Sequence, residues 1–217
     1  MSSQKKMIAD LLFGVQIIGA VIFCGAYILR SFFDVTGSSV AQFGSVVAFL
    51  VFSFALAIGA HRAAPSRLTR QTLATYLVWL VLLLTLIGVV SINPAYHWND
   101  KDTQTLVTAL ILTVGVIAVS RMKGLPFDDP MIKAFLAIAY KAVPQVLLAV
   151  KFLAEGASGT PGLSVILGHA TILIRLGQIY FLVLEAGWDR NRIWMAINET
   201  ANEASWIVAS IAWLIVM

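Results

Sequence analysis

Charge is scarce in this chain. Asp, Glu, Lys and Arg make up only 12% of its 217 residues, about half the roughly 25% of an ordinary water-soluble domain. That density leaves too little polar surface to face water on all sides, which excludes a soluble globule. Cysteine occurs once, as Cys24 within an apolar stretch, so there is no disulfide framework and no thiolate metal site. Basic runs are missing too. The net charge of +4 is scattered over loops, so nucleic acid is not an expected partner; the surplus reads as topology signals and contact with anionic lipid headgroups. Of three histidines, His61 and His97 fall at loop positions, too few within apolar segments for an intramembrane zinc hydrolase. Neither a serine nucleophile elbow nor a phosphate-gripping Gly-Lys-Ser/Thr sequence occurs. The last apolar segment has no lysine to carry retinal. The chain is therefore not expected to be an enzyme or a pigment, and no cofactor is expected.

Apolar residues are abundant: 59% of the total, with a mean hydropathy of +0.88. They come in long blocks instead of alternating with polar ones. A hydrocarbon layer about 30 Å thick needs roughly 20 apolar residues in helical form, because no water is there to satisfy open backbone groups. Seven segments fit, at Met7–Leu29, Val40–Ala60, Leu73–Ile92, Thr105–Val119, Met131–Leu153, Leu163–Leu184 and Ile193–Met217. The fourth is the shortest. The first follows Lys5 and Lys6, which also fits a signal peptide, but it is too long for a cleaved apolar region and reads as a span. Turn-forming residues separate the segments: Asp34 to Gly37, Pro65, Asn93-Pro94, Pro126 with Pro130, and Gly159 to Gly162.

Loop charge sets an orientation. Lys5, Lys6, Arg62, Arg67, Arg70, Arg121, Lys123, Arg190 and Arg192 fall on one side, and only Arg30, Lys101 and Lys151 on the other. The positive-inside rule then places the N-terminus in the cytoplasm. Trp98, Trp188 and Trp194 near segment ends read as interfacial anchors.

Sliding the chain by about 124 residues, in the sense of a repeat search, lays Thr36–Gly44 over Thr160–Gly168. Segments one to three then overlay five to seven without a gap, with the fourth left between them. The expected fold is all-α and integral to the membrane, with seven transmembrane helices in a 3+1+3 arrangement. Residues 1–95 form one three-helix bundle, 96–128 a linker helix with its loops, and 129–217 a second bundle. Parallel repeats of odd span number require such a linker.

Pro144-Gln145 within the fifth segment, followed by a turn ending Thr160-Pro-Gly-Leu-Ser164 and another apolar span, resembles the PQ-loop family, which includes the SWEET, SemiSWEET and cystinosin transporters. The likeness covers about 85 residues of the second half. It implies a three-helix-bundle repeat, a solute path between the two bundles, and prolines that loosen rocking helices, which would make Pro144 a hinge. Two features depart from the pattern. Ala20 and Val21 stand where the first repeat would carry its Pro-Gln pair, and the family's usual orientation puts the N-terminus outside the cytosol.

Ionisable groups within a span cost about 2.5–3.5 kcal/mol each on insertion scales and normally face a cavity or a partner. Here they gather in the second half. Lys141 and Gln145 lie four apart on one face of the fifth segment, and Arg175 and Gln178 three apart in the sixth, with His169 earlier. Asn198, Glu199, Asn202 and Glu203 form two i, i+4 pairs in the seventh. At about 1.5 Å rise per residue, Lys141, Arg175 and Glu203 share a mid-membrane depth. The overlaid first-half positions are apolar or nearly so, and Tyr76 and Trp79 there could stack a sugar ring or similar solute.

The expected function is transport of a small polar solute, sugar-like or amino-acid-like, by alternating access. Asn198, Glu199, Asn202 and Glu203 would line a solute or proton site, and Lys141, Arg175 and Gln145 would hold or release the carboxylates. An unpaired carboxylate in low dielectric has a raised pKa, which would allow proton coupling. The alternative is a non-transporting subunit or receptor-like bundle in which Arg175–Glu203 and Lys141–Glu199 are permanent staples. His169 reads as an interhelical hydrogen-bonding residue. Small-residue runs at Gly14, Ala20 and Gly25, or Gly37, Gly44 and Gly59, could pack helices within the chain or in a homo-oligomer. Besides the solute, the expected partner is the lipid bilayer, with compact loops fitting a bacterial inner membrane.

Overall fold

The computed structural model describes residues 3–217, with side chains from residue 7 onward apart from that of residue 9. Among the described residues there are only helices and loops: α1 Ser3–Ser31, α2 Val40–Ala63, α3 Arg67–Ile92, α4 Asp100–Lys123, α5 Pro130–Glu155, α6 Gly162–Ala186 and α7 Arg190–Val216. By length and composition α1 to α6 can each cross a membrane, and the chain is an all-α integral membrane protein. α7 has 27 residues, enough for about 40 Å, but the polar stretch Asn198–Glu203 leaves it less apolar than the rest.

Every helix outruns its apolar segment at one end or both, in several cases because capped polar turns continue it. The fourth is the largest case. Asn99 caps α4 by accepting from the backbone N–H of Lys101 and Asp102, and Asp100 and Asp102 occupy its first turn. Arg121 and Lys123 occupy its last turn, before a left-handed Gly124 cap. Acidic residues at the start and basic ones at the end both suit the helix dipole. The fourth helix is therefore 24 residues long, although its apolar stretch is shorter. Ser66 and Thr69 form a capping box on α3, and Asp189 caps α7 at the N–H of Arg192.

The helices pack in a self-repeating pattern. α3 lies against both α1 and α2; α7 lies against both α5 and α6. Across the two triplets, α1 packs on α6 and α2 on α5. Exchanging α1–α3 with α5–α7 maps this pattern onto itself. α4 falls outside it and lies against α2 and α5.

Consecutive helices run in opposite directions, so the loops collect at two ends. Residues 64–66, 124–129 and 187–189 share an arginine-rich end, where Arg67 pairs with Asp10 and Arg190 with Asp129. Residues 32–39, 93–99 and 156–161 share the far end. Lys5 and Lys6 lie outside the described side chains. Lys151 is not a loop charge: it lies in α5, 2% exposed, with Nζ 2.7 Å from Asp102 Oδ2. Removing it from the far-end tally sharpens the charge asymmetry.

Of the two uses open to the small-residue runs, packing within the chain is not the one most of them serve. A Cβ built on Gly14, Gly25, Gly44 or Gly59 would meet nothing within 4 Å. Of these runs only Ala20, fully buried, and Gly37 are packed.

Candidate functional site

α5 is interrupted where the resemblance expects a hinge. Pro144 has no N–H for the carbonyl of Tyr140 one helical turn back, and its ring crowds that carbonyl. The chain widens into a π turn over Ile138–Ala142, in which Val143 N–H reaches back to Ile138 O. Lys141 lies within this turn. Its Nζ is 3.8 Å from Glu199 Oε2 on α7 and 5.5 Å above the Phe49 ring of α2. One turn further, Gln145 Oε1 accepts from Ser205 Oγ at 2.5 Å.

On α7, Glu199 also accepts from Asn198 Nδ2 at 3.2 Å and from Asn202 Nδ2 at 3.4 Å. On α6, Arg175 Nη1 donates to Gln178 Oε1 at 2.9 Å, and Gln178 Nε2 reaches Gln16 Oε1 on α1 at 3.5 Å. These groups face a cavity of about 1100 Å³ between the two triplets. Tyr76 and Trp79 line it from α3, opposite Lys141, Gln145, Arg175, Gln178, Asn198, Glu199 and Asn202. Nine of the ten residues expected at a solute site thus share one chamber.

Glu203 is the tenth, and it lies away from the chamber wall. Its Oε1 is 2.7 Å from His169 Nδ1, whose Nε2 meets Ser210 Oγ at 2.9 Å. The expected Arg175–Glu203 pair does not form, whereas Lys141–Glu199 does. The reason is azimuth. Glu199 and Glu203 are four residues apart, which leaves them about 40° apart around a helix of 3.6 residues per turn. That rotation carries Glu203 off the chamber wall and onto α6. His169 is the interhelical hydrogen-bonding residue its position predicts. Pro144 is buried behind the wall. Trp98 and Trp188 are exposed at helix ends, as anchors would be, but Trp194 stacks edge-on against Phe135 at 5.4 Å and lines the chamber mouth.

Several wall residues carry no charge or motif that would have marked them. Gln16 and Gln42 are lone amides in the apolar first half, and Phe23 is an ordinary core residue by pattern. Phe23 nevertheless sits at the chamber floor, 5.8 Å from the Trp79 ring and 6.3 Å from that of Trp206. It thereby touches both triplets. The Asp102–Lys151 pair was also missed, although a lysine four residues before Glu155 at the end of an apolar helix was a usable signal.

The lining runs from this floor to the arginine-rich end, where Leu68 and Leu184 are well exposed. At the far end the triplets are tied together. Tyr27 Oη is 2.7 Å from Thr160 Oγ1, Arg30 Nε donates to Ser158 O at 2.9 Å, and Gly159 N–H donates to Thr36 O at 3.1 Å. Ser164 Oγ donates to Phe23 O at 2.8 Å. The chamber is thus accessible from one end and sealed at the other by the two loops that the sequence overlay equates.

Asp34 belongs to the seal. Burial pushes its carboxyl pKa up, but hydrogen bonds from Ser158 and Thr36, with the Arg30 guanidinium, outweigh this and hold it below the ordinary 3.8. A carboxyl so depressed contributes fully above the ordinary value and loses its contribution as pH falls through the depressed one. Acidifying below 3.8 should therefore loosen the far end. With Ser164→Cys in a Cys24→Ser background, reaction from that end with 4,4′-dithiodipyridine, which its protonated pyridine keeps thiol-reactive in acid, should rise only in this acid range. Asp34→Asn should raise it already at neutral pH, and equal neutral labelling of the two proteins would count against the seal.

Among the described residues, no three His, Cys, Asp or Glu side chains gather as a metal centre would require. The chamber wall presents amide, hydroxyl and charged groups, among them Thr69, whose hydroxyl pairs with His61 Nδ1 at 2.7 Å. No protein-family model matches the chain, and neither a curated protein nor a solved structure matches it.

Proposed function

We propose that the chain is a small-solute transporter working by alternating access. All seven helices would cross the membrane, α1–α3 and α5–α7 as two bundles and α4 as the linker. The observation that carries this reading is the chamber between two triplets packed alike, lined by amides and charges at mid-depth, reachable from one end and latched at the other. Charged groups within a span normally face a cavity or a partner, and Lys141, Arg175 and Glu199 all line a space of about 1100 Å³, as groups on a wet path would. The packing pattern supports a duplicated unit, and the π turn beside Pro144 supports a flexible point in α5, in line with the resemblance to PQ-loop transporters. By the loop-charge bias the arginine-rich end is cytoplasmic, so the chamber opens inward. Proton coupling would use Glu199, whose release from Lys141 would accompany closure of the mouth.

Two observations favour the static alternative. The Lys141–Glu199 pair that it calls for is formed. The His169–Glu203–Ser210 set joins α6 to α7 away from the chamber, as a staple would. The two readings part on mutation. In proteoliposomes given a mixed panel of sugars, amino acids and organic acids, wild type should accumulate at least one solute. Glu199→Gln should cut its rate at least about tenfold by leaving Lys141 unpaired and the site misassembled, while Glu203→Gln should act mainly on thermal stability. No uptake of any solute by wild type, or full uptake by Glu199→Gln, would overturn the proposal.

A further inference from the structure

Arg175 stands out among the charged groups of the chamber wall. Lys141 has Glu199, and Glu199 is further held by the amides of Asn198 and Asn202. Glu203 is engaged by His169 and lies off the wall. Arg175 has no carboxylate within 4.0 Å among the described residues; its bond goes to the neutral Gln178 Oε1. Counting residues from the arginine-rich helix ends, Lys141, Arg175 and Glu199 lie 9 to 11 positions in, about 14–17 Å deep. On the chamber wall at this depth, two cations and one carboxylate leave a surplus of one positive charge; Glu203, at a similar depth, is turned off the wall onto His169. Lys133 and Glu185, one of each sign, stand nearer the mouth.

A guanidinium carries five N–H donors in a planar fork, and only one of its bonds is accounted for. Gln178, itself reaching Gln16, holds that bond and so fixes the direction in which the remaining donors point. Such a fork pairs with carboxylate or another oxyanion through two parallel hydrogen bonds. In a low-dielectric setting a lone cation is costly, and a chamber that accepts solute can meet that cost by taking the anion from the solute. The floor supplies the complementary half of the recognition: Phe23, Trp79 and Trp206 offer ring faces and edges, with Leu50 and Ile172 beside them.

We infer that the solute is a small organic monoanion, a carboxylate on an apolar or aromatic body, with its oxyanion on Arg175 and its body against the Phe23–Trp79–Trp206 floor. This deepens the transporter reading and rests on it for the word solute. Binding at Arg175 can be tested without it.

The test uses two probes that differ in charge and little in shape, 3-phenylpropanoate and 3-phenylpropanamide. Binding to the full chain is read at neutral pH in phosphatidylcholine nanodiscs, by calorimetry and by tryptophan fluorescence. Wild type should bind the acid at least tenfold tighter than the amide. Arg175→Gln should lower affinity for the acid at least tenfold and leave the amide unchanged, and Arg175→Lys should restore part of the preference. Equal binding of acid and amide by wild type, which requires no variant to fold, would overturn the inference. So would an undiminished preference in a folded Arg175→Gln. Nanodiscs of phosphatidylglycerol separate the two sources of an oxyanion: if that lipid abolishes binding of the acid, the partner of Arg175 is a lipid headgroup and the free-solute assignment fails. In proteoliposomes the two levels come apart. Uptake of a neutral sugar without binding of the acid removes the anion inference and leaves transport standing. Arg175-dependent binding of the acid without uptake of any solute removes transport and leaves the site.

Discussion

Replacing Lys151 by Met should cost about 3–5 kcal/mol of stability, the usual result of removing one member of a buried ion pair. Asp102 is fully buried, and its carboxylate is held by Lys151 Nζ at 2.7 Å and Ser39 Oγ at 2.6 Å. Without the ammonium, only the hydroxyls of Ser39 and Tyr96 remain to solvate a negative charge that water does not reach. The double change Asp102→Asn with Lys151→Met should recover most of the loss, because the amide can still accept from Ser39 and the lysine stem is replaced by a thioether of similar length. Thermal unfolding in detergent, for both single variants and the double, checks this. A loss below about 1 kcal/mol for Lys151→Met, the range of exposed pairs, would mean that the site is wet. Three regions meet at Asp102: the start of α4, the end of α5 and the loop before α2. The same single change should therefore weaken the far-end latch as well as the fold.

How much of this was legible beforehand differs with the kind of information required. Helix positions follow from long apolar blocks, so all seven were visible, and only the capped polar turns beyond them were not. Asp100 and Asp102 read as loop by hydropathy, yet they begin α4 because Asn99 caps it. Depth in the membrane was also readable, since a fixed rise per residue puts Lys141, Arg175 and Glu203 near mid-membrane, with Glu199 one turn away. Direction around the axis was not. An i, i+4 step still turns about 40°, enough to send Glu199 into the chamber and Glu203 to His169. In α5 the π turn adds a residue to one turn and offsets everything before it, and no residue pattern announced that offset, although Pro144 supplied its cause. Aromatic floor residues escaped for another reason. Phe23 and Trp206 belong to opposite triplets, and only docking of the triplets turns two core positions into one surface. The overlay of Thr36–Gly44 on Thr160–Gly168 equated two loops; it could not tell that these loops press on each other.

That contact carries the second large expectation. Gly159→Val should open the far end and, on the proposed transporter reading, cut uptake at least about tenfold, since alternating access needs each end to close in turn. A Cβ at Gly159 would lie 2.7 Å from both N and O of Thr36 and 2.8 Å from the carbonyl carbon of Val35. All three are backbone atoms and cannot rotate aside, so the loops must separate, and the bond from Gly159 N–H to Thr36 O breaks with them. The strain of overpacking is about 1–3 kcal/mol, and separating the loops also loosens the latch bonds, neutral ones at about 1 kcal/mol each and those of Arg30 and Asp34 at about 1.5–3 kcal/mol. The equilibrium should therefore tip from sealed to open without unfolding the helices. Ser164→Cys in a Cys24→Ser background reports the change, because Ser164 is fully buried behind the latch and donates to Phe23 O. Its maleimide labelling from the far end should become fast in Gly159→Val. Gly44→Ala is the matched control: its new methyl would meet nothing within 4 Å, and the exchange should gain up to about 1 kcal/mol of helix stability with labelling unchanged. Slow labelling and wild-type uptake in Gly159→Val would mean that the two loops are neighbours and no gate.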